Sequence, residues 1–214
     1  MGKTSSWPHS PAPQHAQLPQ NSLSRRFGHA ERSVLREVLG QAQERGWIGP
    51  QAIDRQVDHS LGFAGAAAAE PTVAVDLGSG GGLPALVLVA IWPKTRWVLV
   101  ESSLPRAAFL ELHCARLGWS ERVDVVHLSA ERLAERGRYR EAANLVTARS
   151  FGPWASVVKA AAPLLCPGGE LIVSAAPDAA PWPADFLSVH GFSSDRLTQS
   201  PPCFHRATQR GSIL

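Results

Sequence analysis

The sequence predicts an α/β fold, an open and mostly parallel sheet with helices on both faces, and three observations carry that reading. From Thr72 onward, short apolar runs alternate with segments of helical periodicity, the order that builds strand–helix–strand units. The first run leads into "VDLGSGGGLPA", residues 75–85, with four glycines in five positions. Backbone so permissive is costly in entropy and belongs where φ is positive or something approaches closely. The second run ends on an acid, Glu101.

The elements follow in order. Residues 1–27, rich in Pro, Ser, Gln and His, read as a disordered leader. Residues 28–70 read as a small helical region. Val34, Leu35, Val38, Leu39 and Ala42 mark one helix face, and Gly46 stops that helix. "QAIDRQVDHSLGFAG" is a second helix after Pro50. Residues 71–214 form the main domain. Its strands are "TVAVDL", "RWVLVE", "RVDVVHL", "AANLVTA" and, after the turn "CPGG", "GELIVSA". Its helices are "LPALVLVAI", with Pro84 in the first turn, "LPRAAFLELHCARLG" ending at Gly118, and "PWASVVKAAAPLL". "FSSDRL" and "CFHRAT" are expected as two antiparallel strands at the sheet edge.

Composition excludes several classes. The formal net charge of +3 does not by itself demand nucleic acid. Three isolated cysteines, Cys114, Cys166 and Cys203, fit neither a disulfide framework nor a C-x-x-C zinc site, and no metal is expected. With no apolar run of membrane-spanning length, a cytoplasmic location and no membrane partner are expected. "MGKTSS" matches the loose myristoylation pattern, which a chance match explains as well.

Three chemistries compete for the glycine segment. A P-loop fails, because no Lys-Ser or Lys-Thr follows the glycines. A dinucleotide fingerprint fits Gly80, Gly82 and Ala85, with Glu101 where a ribose-binding acid belongs. A shifted frame, Asp76-x-Gly78-x-Gly80-x-Gly82, resembles the first motif of class I S-adenosylmethionine-dependent methyltransferases. Asp76 would repel a pyrophosphate at the helix N-terminus, whereas it favours the ammonium and sulfonium of the methyl donor. Glu101 suits a ribose diol in either case.

The wider pattern, "VDLGSGGGLPALVLVAIWP", "VLVESSLPRAAFLELHCARLGW", "VVHLSAERL" and "VTARSF", resembles the glucose-inhibited division protein B family from about Arg55 to Gly169. These are bacterial class I methyltransferases acting on guanine N7 of 16S ribosomal RNA. The resemblance implies a Rossmann-like class I methyltransferase sheet, S-adenosyl-L-methionine as cofactor, and ribosomal RNA or the small ribosomal subunit as partner. It implies that Gly78 and Leu83 border the donor, Glu101 takes the ribose, Ala130 and Glu131 lie beside the adenine, and Arg149 faces donor and acceptor. Arg149 is also the candidate catalytic residue, orienting the acceptor. N7 has a free lone pair and no proton to lose, so no general base is needed.

Two segments depart from the family pattern. Arg55-Gln56-Val57-Asp58-His59-Ser60 stands where the family shows Arg-His, two residues, then Asp-Ser. Ala175-Ala176 stands where it carries Lys-Gly, leaving Arg206 as a possible replacement cation. A small-metabolite acceptor and a non-catalytic donor-binding protein are the alternatives. Arginines near both ends (Arg25, Arg26, Arg32, Arg36, Arg196, Arg206, Arg210) are available to phosphate or to solvent. Trp154 and Trp182 are available to a base or to the core.

Overall fold

The computed structural model describes residues 29–176, 178–197 and 203–210. The expected leader and Arg25 and Arg26 lie outside the described residues, as do the side chains of Arg196 and Cys203. The elements run α1 (His29–Glu44), α2 (Ile53–Ala66), β1 (Val73–Leu77), α3 (Ala85–Ile91), β2 (Arg96–Glu101), α4 (Leu104–Arg116), β3 (Val123–His127), α5 (Ala130–Ala134), β4 (Ala143–Ala148), α6 (Trp154–Ala161), β5 (Leu165–Ala175), α7 (Ala184–Val189), β6 (Phe192–Leu197) and β7 (Cys203–Gln209). They build a seven-stranded sheet of order β3-β2-β1-β4-β5-β7-β6. β3, β2, β1, β4 and β5 are parallel, and β7 and β6 close the edge antiparallel, as the periodicity predicted.

β1 and β4 show why the strands read as unbroken apolar runs, since every residue of both is buried. Strands covered by helices on both faces have no polar face to show. One layer joins Leu86 and Leu88 of α3 with Phe109 and Leu110 of α4, and with the stacked Trp92 and Trp97. Leu35 and Leu39 of α1 and Val57 and Phe63 of α2 belong to the same layer, so the N-terminal helices share the core of the sheet. The opposite layer joins Val157, Val158 and Ala161 of α6 with Leu133, Leu171 and Phe192.

Four local readings change. Val34 is exposed, so the buried face of α1 is Leu35, Val38, Leu39 and Ala42. α3 begins at Ala85, one residue beyond Pro84, whose peptide bond with Leu83 is cis. "CPGG" is not a turn before β5 but a bulge within it. Ala143 pairs with Leu165 and Leu145 with Glu170, so the extra residues bow out of the ladder. A Cβ on Gly169 would lie 2.8 Å from the Ala143 carbonyl oxygen and 2.9 Å from that of Cys166, which explains the glycine. Finally, α5 forms within "SAERLAERGRYRE", started by Ser129, whose hydroxyl accepts from the Arg132 amide at 3.5 Å.

Candidate functional site

In an open α/β sheet the ligand crevice lies at the carboxyl ends of the strands, where the strand order reverses. Here that point is the β1–β4 pair. Leu77 is in register with Ala148 on one side and Val100 on the other. The chain therefore delivers Gly78, Arg149 and Glu101 to one edge. Two clefts open there. The larger, about 570 Å³, is bordered by Gly78, Gly80, Leu83, Arg106, Arg149 and Ser150 on the sheet side. The segment Gly46–Pro50 and Gln43 form the opposite wall. The smaller, about 150 Å³, lies among Val100, Ser102, Leu128, Ala130, Glu131 and Phe151. Gly78 borders both.

The glycines serve different ends. Gly80 sits at φ +55°, and a Cβ there would meet nothing closer than 3.6 Å, so its missing side chain leaves cleft open. The ring of Phe151 lies 2.7 Å from where a Gly78 Cβ would stand. Gly81 packs against Ile48, Ala42 and Trp47. Gly82, expected beside the cofactor, borders neither cleft; a Cβ there would collide with Leu86, which seats α3 against the loop.

Glu101 is 4 % exposed, and its carboxylate spans two backbone amides, accepting from Gly80 at 2.8 Å and Ser103 at 2.7 Å. It thereby fixes the glycine loop to the tip of β2. Each oxygen keeps lone-pair capacity beyond its one bond. Asp76 lies beneath the loop, 1 % exposed. Its Oδ1 accepts from the Thr147 hydroxyl at 2.6 Å, while its Oδ2 has no partner among the described residues. Burial pushes its pKa up to about 7, against the pull of the Thr147 and Ser79 hydroxyls. Charges enter more weakly, Glu101 raising it and Arg149 lowering it.

Arg149 donates from Nη2 to Gln56 Oε1 at 3.2 Å, and its buried Nη1 has no partner among the described residues. Burial lowers its pKa, with the charge of Asp76 acting the other way. His59 lies between Phe63 and Phe204, and burial, then Arg149, hold its pKa down to about 4. A neutral imidazole is compatible with a guanidinium nearby.

Other sequence candidates fall elsewhere. Arg206 pairs with Glu170 at 3.5 Å and borders neither cleft, so it does not take the place of a cleft lysine. Arg36 forms a two-point pair with Asp54, both bonds 2.8 Å, and Arg32 meets Asp58 at 3.3 Å; these arginines tie α1 to α2. Trp182, 7 % exposed, is stacked between Trp154 and His205 and belongs to the core. Cys114 is a buried thiol with its pKa pushed up to about 12. Among the described residues no group of His, Cys, Asp and Glu could hold a metal, and no helix is long and apolar enough to cross a membrane.

Sequence reasoning missed the Gly46–Pro50 wall, Ser150 and Phe151. Gly46 and Gly49-Pro50 signal a turn, but nothing in that pattern says what the turn faces.

The family described as rRNA small subunit methyltransferase G matches residues 46–177. A protein of that name from Nocardioides sp. is 38 % identical over 174 residues, covering 74 % of this chain and 67 % of that one. Another, from Kineococcus radiotolerans, is 35 % identical over 162 residues, covering 73 % and 62 %. The chain thus spans about two thirds of the length of these relatives. Among solved structures, cofactor-bound Rv0187 from MTB aligns with a TM-score of 0.61 at 16 % identity, covering 93 % of this chain and 100 % of that one, a likeness of fold. The match extends from the Gly46–Pro50 wall through the glycine loop and Arg149 to the end of β5, and the chain belongs to the rRNA small subunit methyltransferase G (GidB) family.

Proposed function

We propose that the protein is an S-adenosylmethionine-dependent methyltransferase acting on ribosomal RNA of the small subunit, with guanine N7 as acceptor. One observation carries the donor assignment. Asp76 Oδ2 and Arg149 Nη1 are buried and without partners among the described residues at the same strand ends, and each senses the other's charge. Unpaired buried polar atoms are costly. Arg149 borders the larger cleft and Asp76 lies buried beneath its glycine loop, and such a cation and acid suit the two ends of a zwitterionic amino acid, its ammonium toward Asp76 and its carboxylate toward Arg149. The methionine half of the donor is such a group. Glu101 is the candidate for the ribose, and the apolar walls around Ala130, with Glu131 at the rim, for the adenine. Gly78, Gly80 and Leu83 border the larger cleft along the intervening part of the donor. Gly82 would act through the loop it packs and not by contact.

When bound, the donor supplies an electrophilic sulfonium methyl, whose C–S electron pair returns to sulfur as the N7 lone pair forms the new bond. The chain's part is to place the acceptor in line and exclude water. Arg106 and Arg149 put positive charge on the larger cleft, which suits a polyanionic acceptor. The geometry favours Arg149 as a donor-carboxylate contact over the acceptor-orienting role expected from sequence. The glycine loop and the segments after β2, β3 and β4 supply the donor side, and Gln43 with Gly46–Pro50 supplies the facing wall.

Two measurements test the reading. Calorimetry is expected to show S-adenosylhomocysteine binding and no NAD binding. Incubation with labelled S-adenosylmethionine is expected to label 16S RNA in small subunits from a strain lacking the modification. Binding without label on RNA, together with label on a small molecule of the same extract, would replace the RNA acceptor with a metabolite.

A further inference from the structure

Gln56 is 2 % exposed, and both N–H donors and the oxygen of its amide are engaged. Nε2 donates to the carbonyls of Gly49 and Gln51, both at 3.0 Å, while Oε1 accepts from Arg149 Nη2 at 3.2 Å. The orientation is forced. Both carbonyls can only accept, and the guanidinium can only donate, so the reversed amide would set oxygen against oxygen and N–H against N–H. The same two carbonyls also accept from Gln43 Nε2, at 2.7 and 2.9 Å. The wall of the larger cleft is therefore held twice. The guanidinium of Arg149, by contrast, has one hydrogen-bond partner among the described residues, Gln56.

We propose that Gln56 is a positioning residue that couples the Gly49–Gln51 wall to Arg149 and sets the guanidinium in the orientation its ligand needs. A glutamine meets this requirement because it offers two donors to one side and one acceptor to the other. A histidine offers one ring nitrogen for each, and a carboxylate would repel both carbonyls. Wall and charge are thereby kept in register across the cleft through Gln56 and Arg149, which lie 93 residues apart in sequence. The proposal rests on the reading of Arg149 as a donor contact for its consequence, but not for the linkage itself.

The test is a double-mutant cycle on the full chain, comparing wild type, Gln56→Met, Arg149→Ala and the double variant. Two readouts are followed: S-adenosylhomocysteine affinity by calorimetry and thermal unfolding without ligand. Gln56→Met is expected to weaken affinity about fivefold or more in the wild-type background and less than about twofold beside Arg149→Ala, the coupling of residues that share one contact. The unfolding shifts of the single variants are expected to sum to more than that of the double. Equal weakening in both backgrounds, or no weakening, would overturn the proposal. A wild-type chain that binds no S-adenosylhomocysteine sinks the donor reading instead. The unfolding cycle alone then decides, with additive shifts refuting the linkage and non-additive shifts sustaining it.

Discussion

Asp76 is buried with one carboxylate oxygen unsatisfied among the described residues, and its protonation is the most informative residue-level property of the site. Its folded pKa, about 7, stands well above the ordinary carboxyl value of 3.8. An acid shifted upward contributes stability that is full below its unfolded pKa and lost as pH rises through the folded one. Asp76→Asn is therefore expected to raise the ligand-free unfolding temperature more at pH 8 than at pH 5. Ligand binding has the opposite sign, because an ammonium needs the ionised carboxylate. Affinity for S-adenosylhomocysteine is expected to fall about tenfold from pH 8 to pH 6, and to lose that slope in Asp76→Asn, as calorimetry at each pH will show. Arg149→Ala removes a charge-assisted contact of about 1.5–3 kcal/mol, so donor affinity should fall roughly ten- to a hundredfold. Arg149→Lys should recover part of the loss, since it keeps the charge without the planar fork. Unchanged affinity in Arg149→Ala would return Arg149 to the acceptor side. Gly80→Val places a branched side chain at φ +55° into open cleft and is expected to abolish S-adenosylhomocysteine binding in a chain that still folds.

At the scale of elements, β5 pairs with β4 on one side and β7 on the other, and the bulge separates its first pair with β4 from the rest of the ladder. Glu170 follows the bulge, accepts from the Ala68 amide at 2.9 Å and pairs with Arg206 of β7. It thus ties the segment before β1 to the antiparallel edge. Gly169→Ala would press a methyl against two carbonyl oxygens, and overpacking of this kind costs about 1–3 kcal/mol, measurable by urea unfolding. An unchanged midpoint would mean that the bulge relaxes freely. The bulge was not legible from "CPGG" because Pro-Gly-Gly signals a turn equally well, and only the register with β4 distinguishes them. β2, by contrast, was legible to the residue, since a strand buried on both sides writes its limits as an apolar run.

Across the whole molecule, a net charge of +3 is modest, and two of the arginines near the start are spent on α1–α2 ion pairs. The positive charge at the candidate site is local, with Arg106 and Arg149 on the larger cleft. Arg106→Ala is expected to weaken binding to small-subunit RNA and to reduce the slope of log K against log salt by about one, the signature of a lost phosphate contact. A slope unchanged in Arg106→Ala would assign Arg106 to another role. The N-terminal helices complete the cleft from outside the sheet, with Ala42, Trp47 and Ile48 packed on Gly81. The cleft therefore depends on this packing as much as on the glycine loop.

The sequence by itself determined the alternation of elements, the glycine loop, the acids at the ends of β1 and β2, and the antiparallel edge. Each of these is written in local periodicity or in residues a few positions apart. Only the tertiary structure decided which glycine faces the cleft and which packs on Leu86, that Glu101 holds the loop, that Trp182 belongs to the core, and that Gln56 reaches Arg149. Those outcomes depend on pairs brought together across tens of residues by sheet register and helix packing. A side chain's partner at such a distance is set by the fold, and its own neighbours in sequence carry no record of it.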